Sequence, residues 1–214
     1  MSELWVTEIF YSIQGESSWA GMPCAFVRLT GCPLRCRWCD TVYSFHGGKQ
    51  FTIDAILNEL AKFKTRLVEI TGGEPLAQAE AIPLMERLVA DGYKVLLETS
   101  GSQSIVDVPQ AVSIIMDLKC PGSGMQDRNL WSNIDVLKAS DEIKFVISNW
   151  DDFAWASKII DEYQLAGRVH LLFSPAWGLL SMQDLSAWLL ASGIQARLNL
   201  QVHKLIWGPK KKGV

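Results

Sequence analysis

The sequence predicts an α/β fold, and three observations carry that expectation. Short β-type runs alternate with helical patterns along the whole chain. Most of those runs are near-continuously apolar, as strands covered on both faces are. The polar, glycine-rich segments fall just after the runs, on what would be one rim of a parallel sheet, where such folds place their chemistry. At 214 residues the chain has the length of one domain. No internal repeat, low-complexity tract or linker divides it, so it reads as a single domain 1–214 with a short lysine-rich tail, 209–214.

The expected strands are Ala25–Leu29, Leu67–Ile70, Val95–Leu97, Val112–Leu118, Ile143–Ile147, Val169–Phe173 and Leu198–Val202. Thr52 can cap a helix that carries Ile53, Ile56, Leu57, Leu60 and Phe63 on one face. Leu84, Leu88 and Val89 repeat that spacing before Asp91–Gly92, a helix stop. Further helices are expected at Asn129–Leu137, Asp151–Tyr163 and Ser181–Leu190. The last opens with Ser181 and Asp184 in a variant of the capping box, with Asp in place of Glu or Gln. Strand–helix alternation implies right-handed βαβ crossovers. Gly31–Asp40, Thr71–Pro75, Glu98–Gly101, Lys119–Ser123, Ser174–Pro175 and His203 each follow a strand, so they share one rim.

Composition narrows the function classes. The formal charge is −3, and the only basic run is Lys210–Lys212, which reads as a solvated tail and not as a nucleic-acid surface. No apolar run reaches the ~18 residues of a membrane span. Met1–Glu8 has acidic groups and no basic n-region, so no cleaved signal peptide is expected. The count of five cysteines is odd. Three of them are bunched, unlike a secreted disulfide framework, and this favours a reducing compartment, the cytoplasm.

The bunched residues are Cys32-Pro-Leu-Arg-Cys36-Arg-Trp-Cys39, spaced C-x₃-C-x₂-C. A closed zinc site needs four ligands, and His46, followed by Gly47–Gly48, reads as a loop histidine. A ferredoxin loop would be spaced C-x₂-C-x₂-C, and Cys24 lies too early to complete it. From spacing alone three readings stand: a four-iron cluster with one open iron, a zinc site, and unligated thiols. The open iron is the chemically useful case, since an amine and a carboxylate can chelate it and bring a sulfonium beside the cluster.

Together with Gly72-Gly73-Glu74-Pro75, the cysteine loop resembles the radical S-adenosylmethionine (SAM) superfamily. Ser12-Ile13-Gln14-Gly15-Glu16, Phe26-Val27-Arg28-Leu29, Trp38-Cys39-Asp40-Thr41, Glu98-Thr99-Ser100-Gly101, Asp117-Leu118-Lys119 and His203-Lys204 are, in that order, similar to the 7-carboxy-7-deazaguanine synthase family of 7-deazapurine and queuosine biosynthesis. The resemblance runs from about residue 5 to about residue 208. It implies a partial TIM-like βα barrel, commonly a homodimer. It also implies conversion of 6-carboxy-5,6,7,8-tetrahydropterin to 7-carboxy-7-deazaguanine with loss of ammonia, begun by a 5′-deoxyadenosyl radical. A [4Fe–4S] cluster, SAM, Mg²⁺ and an electron donor such as flavodoxin or ferredoxin go with that reaction. Another small radical SAM enzyme, such as a glycyl-radical activating enzyme, shares the cysteine spacing but gives no reason for Gln14, Gly15, Glu16, Arg28 and His203.

Carried onto this chain, the resemblance implies Cys32, Cys36 and Cys39 as cluster ligands and Thr41 as a Mg²⁺ ligand. It implies contacts to SAM from Trp38, Cys39, Asp40, Gly73, Glu74, Thr99, Ser100, Asp117, Leu118, Lys119 and Ser174. Contacts to substrate come from Ile13, Gln14, Gly15, Glu16, Arg28, Thr71 and His203. Several of these residue types suit their roles independently. Gln offers a donor and an acceptor to an aminopyrimidinone edge, a hydroxyl is a hard oxygen ligand, and a guanidinium in a buried strand needs an anion. The bland alternatives are an internal ion pair for Arg28, a loop threonine at 41, a surface lysine at 119 and a structural histidine at 203. Ser17 stands where the family's Gln-Gly-Glu-Gly ends in glycine.

Overall fold

The computed structural model describes residues 3–214. It has nine strands, β1 (Glu3–Ile13), β2 (Pro23–Leu29), β3 (Lys49–Thr52), β4 (Leu67–Gly72), β5 (Lys94–Thr99), β6 (Ser113–Leu118), β7 (Glu142–Ile147), β8 (His170–Pro175) and β9 (Arg197–Leu198). The helices are α1 (Ile53–Leu60), α2 (Ala81–Ala90), α3 (Trp150–Glu162), α4 (Met182–Ser192) and α5 (Val202–Trp207). The strands form one sheet in the order β3-β1-β2-β4-β5-β6-β7-β8-β9. From β2 to β9 every pairing is parallel, while β1 runs antiparallel to β2 and to β3. The two ends, β3 and β9, do not pair with one another, so the sheet is an open, partial barrel.

Local chemistry sets the helix starts. Thr52 accepts from the Ala55 amide, Asn149 from Asp152 and Ser181 from Asp184, each satisfying a donor that the first turn leaves free. Asp184 also accepts from the Ser181 hydroxyl, so the variant box closes through a shorter side chain.

Three expectations needed correction. β1, 11 residues long, and β3 were not foreseen. β1 lies on the margin of the parallel sheet and mixes exposed with buried positions, so it lacks the apolar run that marked the others. Asn129–Leu137 is not an α-helix but ends in a 3₁₀ turn at Trp131–Asp135. There the buried Asn133 amide donates to the Gly101 and Gln103 carbonyls and its oxygen accepts from the Ile105 amide, a side-chain competition that defeats helix propagation. The strand expected at Leu198–Val202 is only two residues long, and Val202 already opens α5.

Alternate strand residues face opposite sides. One set, including Val27, Ile70, Leu97, Met116, Phe145 and Phe173, packs under the helices in the main core. The other faces the bore. Its lower layer is a small apolar cluster of Cys24, Phe26, Leu67, Leu96, Ile115 and Leu172, with Phe10 and Trp19 against it. Further along the same strands the inward positions become polar.

Candidate active site

Those polar positions line a cavity of about 610 Å³, within the size range of small-molecule sites. Arg28 comes from β2, Thr71 from β4, Glu98 from β5, Asp117 from β6, Lys144 from β7 and Ser174 from β8, so each wall is one strand. The loop 14–22 crosses the bore as a floor. Ser17 N–H donates to Asn199 Oδ1 at 2.8 Å, and Ser18 donates from N–H and hydroxyl to Glu142. Ser17 holds φ +64°, the left-handed region where glycine is at home, so the glycine of the family pattern would sit there with less strain.

The cysteine loop closes one side. Its seat is the glycine pair after β4: Gly73 N–H donates to Leu29 O and Glu74 N–H to Gly31 O, at 3.2 and 2.8 Å. A Cβ on Gly73 would stand 2.1 Å from Gly31 O and 2.8 Å from Cys32 Cβ. The glycine therefore serves the loop that carries Cys32. Cys32, Cys36 and Cys39 are all free and half-buried at the cavity edge. Burial pushes the Cys32 and Cys36 thiols up, and Lys119 pulls against that rise. Among the described residues no three Cys, His, Asp or Glu side chains converge as one metal ion would require. Three half-buried thiols on one loop at the cavity edge have the donor chemistry of a cluster site that leaves one iron open.

Around that loop the polar groups are organised for ligands. Asp117 Oδ2 accepts from Lys119 Nζ at 2.7 Å, but its Oδ1 is buried with no partner. An orphaned carboxylate oxygen at a cavity wall suits a ligand hydroxyl or ammonium. Thr99 and Ser100 line the same wall. Opposite, Arg28 donates from Nε to Glu8 Oε1 at 2.8 Å, its cross-strand neighbour on β1, and Tyr43 donates to the same oxygen at 2.8 Å. The internal ion pair thus exists, yet only Nε is engaged and the guanidinium remains on the cavity wall. His203 lies on Gly15, where a Cβ would come within 2.0 Å of Nδ1, so only glycine admits the ring. Burial, with Lys204 adding, holds its imidazole below the ordinary value.

Of the residues singled out from sequence, the structure brings all but Glu74 and Leu118 to the cavity. Glu74 is fully buried and turned inward. It accepts from Thr99 Oγ1 at 2.9 Å and from the Ser100 amide at 2.7 Å, and so sets the two hydroxyl residues in place. Leu118 packs in the main core, on the outward side of β6. For both, contact with SAM would have to come from the backbone. Lys119 is no surface lysine, being held against Asp117. Asp40 accepts from Lys204 Nζ at 2.6 Å, joining the cysteine loop to α5.

Sequence reasoning missed Glu8, Tyr43, Glu69, Lys144 and Gln201, and named Lys204 in a motif without a role. The signal for two of them was present: Glu69 and Lys144 each break an apolar run, at Leu67–Ile70 and Ile143–Ile147. A charge inside such a run marks the inward face. Of the tail, Pro209 and Val214 border the cavity, and Lys212 Nζ lies 4.1 Å from the Tyr43 ring centroid.

The Radical SAM superfamily model matches residues 26–168. A 7-carboxy-7-deazaguanine synthase of Koribacter versatilis is 48% identical, covering 98% of this chain and 99% of that protein. The one of Chlorobaculum tepidum is 41% identical, with 98% and 96% covered. In fold, the crystal structure of QueE from Escherichia coli superposes with a TM-score of 0.79 over 94% of this chain and 95% of that one, at 22% identity. The crystal structure of Streptococcus suis SuiB bound to S-adenosylmethionine superposes at 0.50, over 78% of this chain and 44% of that one, at 12% identity. A partial barrel with a three-cysteine loop on its rim and relatives alike over nearly their whole length leave one conclusion: this chain is a radical SAM enzyme and belongs to the 7-carboxy-7-deazaguanine synthase family.

Proposed function

We propose that this enzyme converts 6-carboxy-5,6,7,8-tetrahydropterin to 7-carboxy-7-deazaguanine with loss of ammonia. The observation that carries the reading is a single cavity with the cysteine loop on one side and Gln14, Glu16, Arg28 and His203 on the other. In this reading Cys32, Cys36 and Cys39 would hold a [4Fe–4S] cluster, and the loop, Asp117, Thr99 and Ser100 would hold SAM. The group bound there would supply one-electron reduction of the SAM sulfonium, and with it radical chemistry at a substrate carbon.

The chain's own residues do the rest by binding and orienting. Arg28, anchored through Nε, offers its free edge to the substrate carboxylate. Gln14 donates one amide N–H to Glu69 and accepts from the Glu16 N–H, which leaves its second N–H for the ring. His203, neutral because burial lowers it, can accept or donate at the same ring. Thr41 supplies a hard oxygen for Mg²⁺ beside the cluster loop. A homodimer, an electron donor such as flavodoxin or ferredoxin, and a cytoplasmic setting complete the proposal. Among the described residues no helix is long and apolar enough to cross a membrane.

Anaerobic turnover of the reconstituted enzyme with SAM, reductant, Mg²⁺ and the pterin, followed by mass spectrometry, tests this. The expected result is 7-carboxy-7-deazaguanine. SAM cleavage with the pterin intact would leave the superfamily standing and overturn the substrate. In the same assay Cys36→Ala is expected to lose both iron and SAM cleavage, and a fully active variant would sink the ligand assignment.

A further inference from the structure

Lys144 stands in the middle of β7 between Ile143 and Phe145, both in the outer core, and its own side chain turns into the bore. Its Nζ donates to Glu16 Oε2 at 3.0 Å and to Glu98. Thr71 donates to the other Glu98 oxygen at 3.1 Å, and Gln201 to the other Glu16 oxygen at 2.9 Å. A continuous chain of polar groups therefore crosses the floor from β4 through β5 and β7 to the loop and the approach to α5. Lys144 is the cation between its two carboxylates; at the far end Gln201 Oε1 accepts from Lys204 Nζ at 2.6 Å.

The neighbouring inward layer is apolar, with Phe26, Leu96, Ile115 and Leu172. An apolar side chain at 144 would extend that layer at no desolvation cost, so the lysine is a costly insertion with a local consequence. Two carboxylates facing one cavity repel, and without a cation between them one takes up a proton. The floor holds a control. Burial pushes the Glu98 carboxyl up, but Lys144, with Thr71 and Arg28, outweighs it and holds the group below its ordinary value. Glu69, bonded to Gln14 instead of to a cation, is driven well above its ordinary value by burial, with Glu98 and Glu16 adding. The other charges facing the Lys144–Glu98 pair are Arg28 of β2, Asp117 of β6, Lys119 just after it, and His203 and Lys204 of α5. Asp40 faces it from the cysteine loop.

We propose that Lys144 is a positioning residue for the substrate: its ammonium, held between Glu16 and Glu98, fixes both carboxylates as acceptors facing the ring N–H groups of the pterin. This rests on the pterin being the substrate. Lys144 does not touch the reacting atoms; it acts through the two carboxylates.

The test is anaerobic calorimetric binding of 6-carboxytetrahydropterin to the cluster-reconstituted enzyme with SAM and without reductant, at pH 6 and pH 8, for the unaltered chain and Lys144→Met. The unaltered enzyme should change little between the two values. The variant should bind roughly tenfold more weakly at pH 8 and several-fold more weakly again at pH 6, as the released Glu98 protonates. Its iron content and SAM affinity should stay within about twofold. The double variant Lys144→Met/Glu98→Gln should bind weakly with no such pH slope, and it decides the matter if the single variant does not fold. Unchanged, pH-independent pterin binding by Lys144→Met, or tight binding by the double variant, overturns the inference alone. Equal loss of SAM, iron and pterin binding also overturns it, because the role would then be structural. No pterin binding by the unaltered enzyme overturns the substrate assignment and this inference with it.

Discussion

The two faces of the same strands are built to opposite rules. On β7, Ile143, Phe145 and Ile147 pack outward against helices, while Glu142, Lys144 and Val146 alternate with them toward the bore. β4 repeats this with Val68 and Ile70 against Leu67, Glu69 and Thr71. Outward, one side chain is exchangeable for another of like volume, because the interaction is area removed from water. Inward, each group is specified by a partner: Glu69 by Gln14, Glu98 by Lys144 and Thr71, Asp117 by Lys119. Stability and function are thus separated by one residue of register, since a slip by one would exchange the two faces.

The separation can be broken experimentally. The largest expected effect is outward: Phe145→Ala, at a fully buried site, should cost about 3–5 kcal/mol in denaturant unfolding. The protein that remains folded should keep its pterin affinity, and a selective loss of affinity would show that the faces are not independent. Arg28→Ala is the inward counterpart. We expect KM for the pterin to rise more than tenfold, roughly 1.4 kcal/mol or more, with SAM affinity near that of the unaltered chain and a lower melting temperature because Glu8 loses its cation. An equal loss for both ligands would place the residue on the wrong one.

Glu69→Gln sharpens the comparison within the inner face. A carboxyl whose folded value is raised contributes stability below its unfolded value and loses it as pH rises toward the folded one. Between pH 4–5 and its folded value this group should therefore cost the unaltered chain about 1.4 kcal/mol per pH unit, and the variant should not show that loss. Parallel stability curves would mean that Glu69 is not held neutral. The smallest effect is expected at Ser17→Gly. Relief of the left-handed strain, worth about 1 kcal/mol, is partly offset by loss of the hydroxyl that accepts from the Trp19 amide. A drop in stability would show that the hydroxyl outweighs the strain.

Much of this molecule was legible before its structure. The parallel strands, the caps of two helices at Thr52 and Ser181, and the common rim of the motif segments followed from periodicity and punctuation. Capping and apolar spacing act within a few residues, so the sequence displays them directly. β1 was not legible, because a strand outside the parallel set, with alternating exposure, lacks a continuous apolar run. The Trp131–Asp135 turn was not, because Asn133 bonds to a loop some 30 residues earlier. Glu74 was assigned to a ligand because its motif meets one, yet its carboxylate is used within the protein to orient Thr99 and Ser100.

The sequence by itself determined the fold class, the cysteine loop, and which segments stand around one site. These depend on local spacing and on the order of motifs, both properties of a linear chain. Only the tertiary structure decided the pairing of charges: Arg28 with Glu8, Asp40 with Lys204, and Lys144 between Glu16 and Glu98. These partners lie from 20 to 164 residues apart. What chooses them is burial together in a low-dielectric bore, where an unpaired charge is costly and the nearest opposite charge in space, whatever its place in the chain, becomes the partner.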